Sequence, residues 1–254
     1  MDMHSKETKN KATELNNSGL NISQISKMIG VDRSTIREWF AETKRYIKTK
    51  PINDEANFFE RFESCSDLRA AYYYLLGQYL GDGSISRNSR TYALRIFATD
   101  KYVNIIDEIV NSMLMVLPCN RVYVTDKKGC KVVTINSNIL PKLFPQHGIG
   151  KKHTRKIELT EWQLKYLDEN SKYLARGLFQ SDGCRYKLEY GNAYNFSNVS
   201  IDIHEIFQKC LLLNGIYYTF NESKARGNSS SIWNTNIYRK LEVEKAYAFL
   251  GEKS

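Results

Sequence analysis

The sequence predicts an α+β protein in which two tandem half-domains of the pattern αββαββα are related by pseudo-two-fold symmetry and follow a small all-α domain. The main observation is a repeat: LLGQYLGDG at 75–83 returns as ARGLFQSDG at 175–183, and its two acids are 182 − 82 = 100 positions apart. Each copy precedes two segments of period two, one segment of helical period and two more segments of period two. Before residue 45, three short segments of helical period are separated by turn residues. We therefore predict a helical domain over 1–45, a linker over 46–69, a first half-domain over 70–160 and a second over 161–254.

The composition favours a polyanionic partner. The chain has 254 residues with 37 Lys+Arg against 28 Asp+Glu, a formal charge of +9. Charge alone leaves open a basic protein without a nucleic-acid role. The five cysteines are odd in number and never spaced C-x-x-C, which is typical of reduced thiols in a cytoplasmic protein and argues against a zinc site. No apolar stretch is long enough to span a membrane, and the first residues have no signal core.

The first 45 residues contain a helix-turn-helix pattern. Asn21 or Ser23 is expected to cap the second helix, Gly30 to end it, and Asp32 to cap the third. The segment ISKMIGVDRSTIREW resembles the helix-turn-helix of resolvase-like and repressor proteins, with Ser26 where such helices usually carry Ala. That resemblance places the third helix in the major groove of DNA. The early residues of this helix, which would reach base edges, are Arg33, Ser34, Thr35 and Arg37. The alternative is a helical bundle that contacts another protein.

The segment 46–69 is predicted to be a linker. It begins within the basic run KRYIKTKP, which ends at Pro51. The mixed sequence that follows, INDEANFFERFESCS, leaves a short helix open.

The repeated motif itself indicates where two helices meet. Gly77 and Gly81 lie four residues apart on one helix face, as do Gly177 and Ser181. Glycine within a helix costs about 1 kcal/mol relative to alanine, and close approach of two helix backbones would offset that cost. The glycines after the two acids, at 83 and 183, suit the left-handed residue that ends a helix.

The two acids then lie at helix carboxyl ends, where the helix dipole disfavours a carboxylate. A divalent cation between Asp82 and Asp182 would reverse this penalty. A site of carboxylates, backbone carbonyls and phosphate oxygen suits Mg²⁺, which would polarise the scissile phosphate and help form hydroxide. The alternative is two surface turns whose carboxylates bond to nearby amides.

Over roughly residues 70–254 the chain resembles the LAGLIDADG homing endonucleases. Against the nine-letter motif of that family, both copies keep the glycine at position three and the final Asp-Gly, while Leu80 and Gln180 replace the first acid. The resemblance implies tandem homing-endonuclease half-domains, Mg²⁺ or another divalent cation bound by Asp82 and Asp182, and a contribution from the carbonyls of Gly81 and Ser181. It also implies a lysine near the scissile phosphate after the last helix of each half. The candidates are Lys151 or Lys152 in the first half and Lys253 in the second.

In this family the strand side chains opposite the core line the major groove. The outward positions by alternation are Ser84, Ser86, Arg95, Arg121, Tyr123, Asn195 and Ser197, if Val122, Val124, Tyr194 and Phe196 are core. In the strand that contains Arg185, a charged residue stands where the first half has Ile85, so which of its side chains face outward is left open. Lys224 and Arg226, on the last hairpin, are candidates to hold phosphates. The histidines have no metal spacing, and we expect them at the surface or at helix ends.

These observations favour a monomeric, site-specific and metal-dependent endonuclease of double-stranded DNA, with an internal pseudo-dimer and no membrane association. The runner-up is a non-catalytic DNA-binding regulator of the same fold, against which retention of both acids argues. A third possibility is an RNA-splicing maturase, against which the helix-turn-helix argues, because A-form RNA hides its major groove.

Overall fold

The computed structural model describes residues 6–18, 20–43, 55–189, 191–224 and 231–253. The chain divides into two compact units, Met1–Pro51 and Ile52–Ser254.

The N-terminal unit contains three helices, α1 (Lys6–Asn17), α2 (Ile22–Ile29) and α3 (Arg33–Thr43). Asn21, rather than Ser23, caps α2: its side chain accepts a hydrogen bond from the Gln24 backbone, and the Gln24 side chain accepts one from the Asn21 backbone. Gly30 ends α2 with a φ of 67°, the left-handed conformation that glycine adopts without steric cost. The core of this unit consists of Ala12, Ile25, Val31, Ile36 and Trp39.

The second unit repeats one succession of elements. The first copy comprises α4 (Glu55–Ser64), α5 (Ser66–Leu80), β1 (Gly83–Arg87), β2 (Tyr92–Thr99), α6 (Val103–Val116), β3 (Val122–Lys127), β4 (Cys130–Asn136) and α7 (Leu140–Leu143). The second copy comprises α8 (Glu161–Lys165), α9 (Leu167–Asp182), β5 (Gly183–Leu188), β6 (Gly191–Asn198), α10 (Ile201–Leu213), β7 (Thr219–Ser223), β8 (Ile232–Ile237) and α11 (Lys240–Leu250). A 3₁₀ turn at Lys152–Thr154 lies between the copies. The predicted αββαββα pattern is therefore confirmed in both halves.

Each half forms one four-stranded antiparallel sheet, with the strand orders β1-β2-β4-β3 and β5-β6-β8-β7. The register repeats together with the sequence: Gly83 pairs with Ile96 in the first sheet, and Gly183 pairs with Phe196 in the second. The offset of 100 residues thus relates paired backbone positions, and the two halves are structural copies of one another.

The glycines that follow the two acids do not adopt the expected left-handed conformation. Gly83 begins β1, and Gly183 is extended with φ −90° and ψ 163°. They are required for space instead. A Cβ on Gly83 would lie 2.4 Å from the Tyr79 Cα, and one on Gly183 would lie 2.1 Å from the Phe179 ring.

The short helix that the sequence left open within the predicted linker of 46–69 is α4, which packs into the core of the second unit, and residues 44–54 lie outside the described residues. Phe58 and Phe62, one turn apart on α4, are buried and stack with a centroid distance of 5.4 Å. Phe62 also meets Tyr72 of α5 and Trp162 of α8 edge-on. Long-range aromatic packing therefore draws this mixed segment into the core, because each buried ring removes a large apolar area from water.

The register decides two questions about which strand side chains face the core. Tyr194 and Phe196 are buried as expected, but Val124 is 45% exposed rather than core, because β3 is an edge strand of its sheet. Arg185 pairs with Tyr194 and therefore lies on the helix-covered side. There it forms an ion pair with Glu252, and its guanidinium lies 5.0 Å from the centre of the Tyr247 ring.

Among the helices of the described residues, none has the length and apolar character that crossing a membrane requires.

Candidate active site at the ends of the motif helices

The two motif helices, α5 and α9, pack backbone against backbone at their glycines. A Cβ on Gly77 would lie 2.5 Å from the Leu174 carbonyl oxygen, and one on Gly177 would lie 2.2 Å from the Tyr74 carbonyl oxygen. Only glycine permits this approach, as the repeat predicted. The same interface buries Gln78 and Gln180, whose side chains are hydrogen-bonded at 3.1 Å.

This crossing brings the carboxyl ends of the two helices together. A Cβ on Gly81 would lie 3.0 Å from Oδ2 of Asp182, so the residue before one acid is adjacent to the other acid. Desolvation by the surrounding protein raises the pKa of Asp82, although its side chain still reaches solvent, and the charges of Lys253 and Lys152 oppose the rise. Burial raises the pKa of Asp182 to about 6, and the negative charge of Asp82 adds to the rise. The two carboxylates therefore repel one another at close range.

A lysine lies on the carbonyl end of each motif helix. The Lys152 ammonium donates to the carbonyl oxygens of Tyr79 at 2.6 Å, Gly83 at 3.0 Å and Gly81. The Lys253 ammonium donates to the Ser181 carbonyl at 2.9 Å. The two lysines occupy corresponding places in the two halves. Lys151, the alternative candidate, is exposed and is the N-cap residue of the 3₁₀ turn, whereas its neighbour Lys152 holds the carbonyls.

These lysines are themselves withdrawn from water. Burial lowers the pKa of Lys152 to about 8, while Asp182 and then Asp82 act to raise it. Burial also lowers the pKa of Lys253, again opposed by the two acids. Two acids and two lysines thus form one cluster in which every group influences the ionisation of the others. Such clusters of shifted pKa values are characteristic of functional sites.

A cleft of about 480 Å³ opens beside this cluster. Its wall includes Gly81, Ser84, Lys152, Asp182 and Asn198. Backbone carbonyls, a carboxylate and an ammonium group therefore face the same space.

The donor set fits a hard divalent cation. Two carboxylates and the carbonyls of Gly81 and Ser181 supply only oxygen, the ligand that Mg²⁺ and Ca²⁺ prefer. Both carbonyls already face a positive charge, that of Lys152 and that of Lys253. Within the described ranges no three His, Cys, Asp or Glu side chains gather into a metal-binding group.

The sequence reasoning missed a hydrogen-bonding system in the second half. The Asn198 side chain donates to Oδ2 of Asp182 at 2.8 Å, and its backbone N–H donates to Nε2 of His204 at 3.0 Å. The first half has Ala98 at the corresponding position. The repeat offers one signal for this difference, since an amide replaces an apolar residue at the strand end nearest the acid.

His204 lies in the first turn of α10, at a helix end as expected, but it is completely buried and does not reach the surface. Its Nδ1 lies 3.1 Å from the Thr235 hydroxyl, and its ring meets Phe196. Burial lowers the pKa of His204 to about 4, which keeps the ring neutral and leaves Nε2 free to accept the Asn198 proton.

The predicted DNA-facing strand residues of the first half lie on or beside one sheet surface. Ser84 and Ser86 are exposed, and Arg95 bonds to Ser86 and to Asn88 on the same side. Tyr123 and Thr125 are exposed on β3, and the Arg121 guanidinium lies 5.1 Å from the centre of the Tyr123 ring.

In the second half, Asn195 and Ser197 lie opposite the buried face and bond to one another. Lys224 is exposed after β7, and Arg226 lies outside the described residues.

In the N-terminal unit the four candidate residues begin α3. Arg33, Ser34 and Arg37 are exposed, and Thr35 is half-buried. The buried Ile36 and Trp39 fix the opposite side of the helix.

Comparison with known proteins agrees with this architecture. Residues 168–251 match a protein-family model described as a LAGLIDADG-like domain. Mesophilic variants of the homing endonuclease I-DmoI match with a TM-score of 0.53 at 14% identity, over 74% of this chain and 98% of theirs. I-DmoI in complex with DNA and Mn matches with a TM-score of 0.52 at 14% identity, over 73% of this chain and 98% of that one. A variant of I-DmoI with its target DNA in the presence of Mg has the same TM-score of 0.52, at 14% identity and with 73% and 98% coverage. No curated protein matches the chain.

The fold and these comparisons define the class of protein to which the structure is similar. The chain has the fold of the LAGLIDADG homing endonucleases, with two four-stranded antiparallel sheets and two motif helices, and its residues 168–251 match the model of a LAGLIDADG-like domain. At 14% identity the similarity to I-DmoI concerns the fold.

Proposed function

We propose that this protein is a site-specific, metal-dependent endonuclease that hydrolyses both strands of double-stranded DNA. The observation that carries the proposal is the meeting of two motif-helix ends, each with an acid and each with a lysine on its terminal carbonyls. The positive charge of +9 supports a nucleic-acid substrate. I-DmoI, which has this fold, has been crystallised with DNA and Mn, and a variant of it with its target DNA in the presence of Mg.

The acids would act together with the helix-end carbonyls. Asp82 and Asp182 would hold Mg²⁺ or another divalent cation, with the carbonyls of Gly81 and Ser181 as further ligands. When bound, the cation would supply Lewis-acid polarisation of the scissile phosphate and a more acidic water. Mutual repulsion of the two acids, which raises the pKa of Asp182, would be relieved by positive charge between them.

The lysines would act as fixed point charges. Lys152 is held by three carbonyls and Lys253 by one, so their ammonium groups are confined near the helix ends. A phosphate entering the cleft would meet this positive charge with little reorganisation, which is the efficient way to stabilise negative charge as it develops. Because the arrangement is repeated, each half would serve one strand.

The tandem halves would let a single chain bind an asymmetric site as a monomer, because they already supply the dyad that other proteins obtain by dimerising. The outward residues of the two sheets would read the major groove. The N-terminal helices would form a helix-turn-helix whose residues Arg33, Ser34, Thr35 and Arg37 contact adjacent DNA.

The test has two stages. The protein is incubated with a randomised duplex library in Mg²⁺, and the cut ends are sequenced to define the site. Asp82→Asn and Asp182→Asn are then assayed on that site with strand-specific labels, with Asp107→Asn, an exposed acid on α6, as the matched control.

We expect each motif variant to lose cleavage of one or both strands while binding persists in Ca²⁺, and the control to cut normally. Specific binding without any cleavage by the wild-type protein would instead support a non-catalytic DNA-binding regulator. Cleavage by the double motif variant would contradict the assigned chemistry.

A further inference from the structure

Among the described strand residues, the outward side of the second sheet carries no charged side chain. The register places thirteen strand residues opposite the core of this half, and every one of them is neutral. They are Cys184, Tyr186, Leu188, Gly191, Ala193, Asn195, Ser197, Thr219, Asn221, Ser223, Ile232 and Asn234, with Asn236 beside Asn195 on the central strand. We call the polar members of this surface on β6, β7 and β8 the amide face: Asn195, Ser197, Asn221, Ser223, Asn234 and Asn236.

The amide face is a connected network. Asn195 donates to Oδ1 of Asn236 at 2.7 Å, and Asn236 in turn donates to Oδ1 of Asn221 at 3.0 Å. Ser197 donates to Oδ1 of Asn234 at 2.7 Å. Asn234 itself donates to the Ser223 hydroxyl at 2.9 Å. Side chains fixed by their neighbours lose less conformational entropy on binding, so the network is organised before a ligand arrives.

The corresponding surface of the first sheet is cationic. Arg95, which pairs with Thr134, is held by Ser86 and by Asn88, the latter at 3.4 Å. The Lys127 ammonium lies 5.2 Å from the centre of the Phe97 ring on the same side. The two halves, although related by the repeat, therefore present different chemistry at equivalent places.

This difference determines which bases each sheet suits. In the major groove, a side-chain amide pairs with the N6 donor and N7 acceptor of adenine, whereas arginine or lysine pairs with O6 and N7 of guanine. The amide face offers amide donors and acceptors together and has no cation in its described strands. Arg95 offers a guanidinium fork held in place.

We propose that the DNA site is asymmetric in composition, with an A·T-rich half-site under the amide face and a guanine opposite Arg95 in the other half-site. This proposal rests on the proposed function, because it requires that the sheets face the major groove. It assigns Asn195 as a specificity-determining residue, positioned by Asn236, which is itself only 5% exposed, and Arg95 as its counterpart in the first half.

The experiment is a binding selection with the full-length protein in Ca²⁺, from a duplex library randomised over the whole site. Four proteins are compared: wild type, Asn236→Ala, Arg95→Ala and, as a matched control, Asn192→Ala. Asn192 is an exposed asparagine on β6 that pairs with Lys187 and lies on the opposite side of the sheet.

For wild type we expect A·T pairs to dominate one half-site and a guanine to be selected in the other. A single G·C replacement at an enriched A·T position should weaken binding about tenfold. Asn236→Ala should reduce that discrimination to about twofold in the A·T-rich half-site alone, Arg95→Ala should lose the guanine in the other half, and Asn192→Ala should select the wild-type site.

The outcomes separate the two proposals. A specific site whose halves are equally rich in G·C, or an Asn236→Ala protein that keeps the full preference, would overturn this inference and leave the endonuclease proposal standing. Failure of the wild-type protein to enrich any sequence would overturn both.

Discussion

Replacing Gly177 with alanine puts a methyl group into the backbone-to-backbone contact between the two motif helices. The new Cβ would lie 2.2 Å from the Tyr74 carbonyl oxygen, whereas ordinary contact begins near 3.4 Å, so the backbones must separate by 3.4 − 2.2 = 1.2 Å. The obstacle is main chain and cannot rotate away. Overpacking of this kind costs up to about 3 kcal/mol. The higher helix propensity of alanine returns about 1 kcal/mol, which leaves a loss of about 2 kcal/mol.

The assay combines thermal unfolding with strand-resolved cleavage. For a domain of this size, a loss of about 2 kcal/mol lowers Tm by roughly 4–8 °C. Because the same crossing brings Gly81 beside Asp182, we expect cleavage to fall more than DNA binding. Lys172→Ala, an exposed substitution on the same helix, is the matched control and should change stability by less than about 0.5 kcal/mol.

The reasoning would be refuted by a Gly177→Ala protein that is as stable as wild type or more stable. Such a result would mean that the helices do not touch backbone to backbone, and that the acids are brought together in another way. If Gly177→Ala lost stability but still cleaved both strands normally, the packing of the two helices would not control the positions of the two acids.

Four further predictions follow from other parts of the molecule. Burial lowers the pKa of His204 to about 4, against 6.5 for an ordinary histidine. The neutral ring therefore stabilises the fold fully above pH 6.5, and this contribution of about 3 kcal/mol is lost as the pH falls towards 4. His204→Gln should flatten the dependence of the unfolding free energy on pH, measured by urea titration. Asn198→Ala should slow cutting by the half that contains Asp182 more than by the other, seen as accumulation of nicked plasmid. Removal of residues 1–50 should shorten the footprint on one side without moving the cut, and Arg37→Ala should reduce the salt dependence of binding. Sedimentation should give a mass near 29.5 kDa, and a dimer required for activity would contradict the pseudo-dimer proposal.

The acids and the two copies of the half-domain could be predicted because their signals are local. Period-two and helical spacing reflect which side of each segment is buried, and two copies at one offset make each signal count twice. Gly77 and Gly177 were informative because a glycine inside a helix lowers the stability of that helix. Its presence therefore indicates that another element packs too closely for a side chain. The pairing of Gly83 with Ile96 and of Gly183 with Phe196 follows that repeat.

Tertiary structure alone decided which neighbours of the acids matter. Lys151 and Lys152 have the same chemistry and adjacent positions, and only the path of the chain before α8 places Lys152 on the carbonyls of α5. Asn198 is one of many asparagines until the strand end that carries it is placed beside Asp182.

The same holds for the aromatic segment before the first motif helix. Phe58 and Phe62 lie in a stretch of mixed polarity, and their burial depends on Trp162, about a hundred residues away. Spacing along a chain reports which side of an element faces the core. It does not report which distant element will cover that side, since long-range contacts exist only once the halves have packed together.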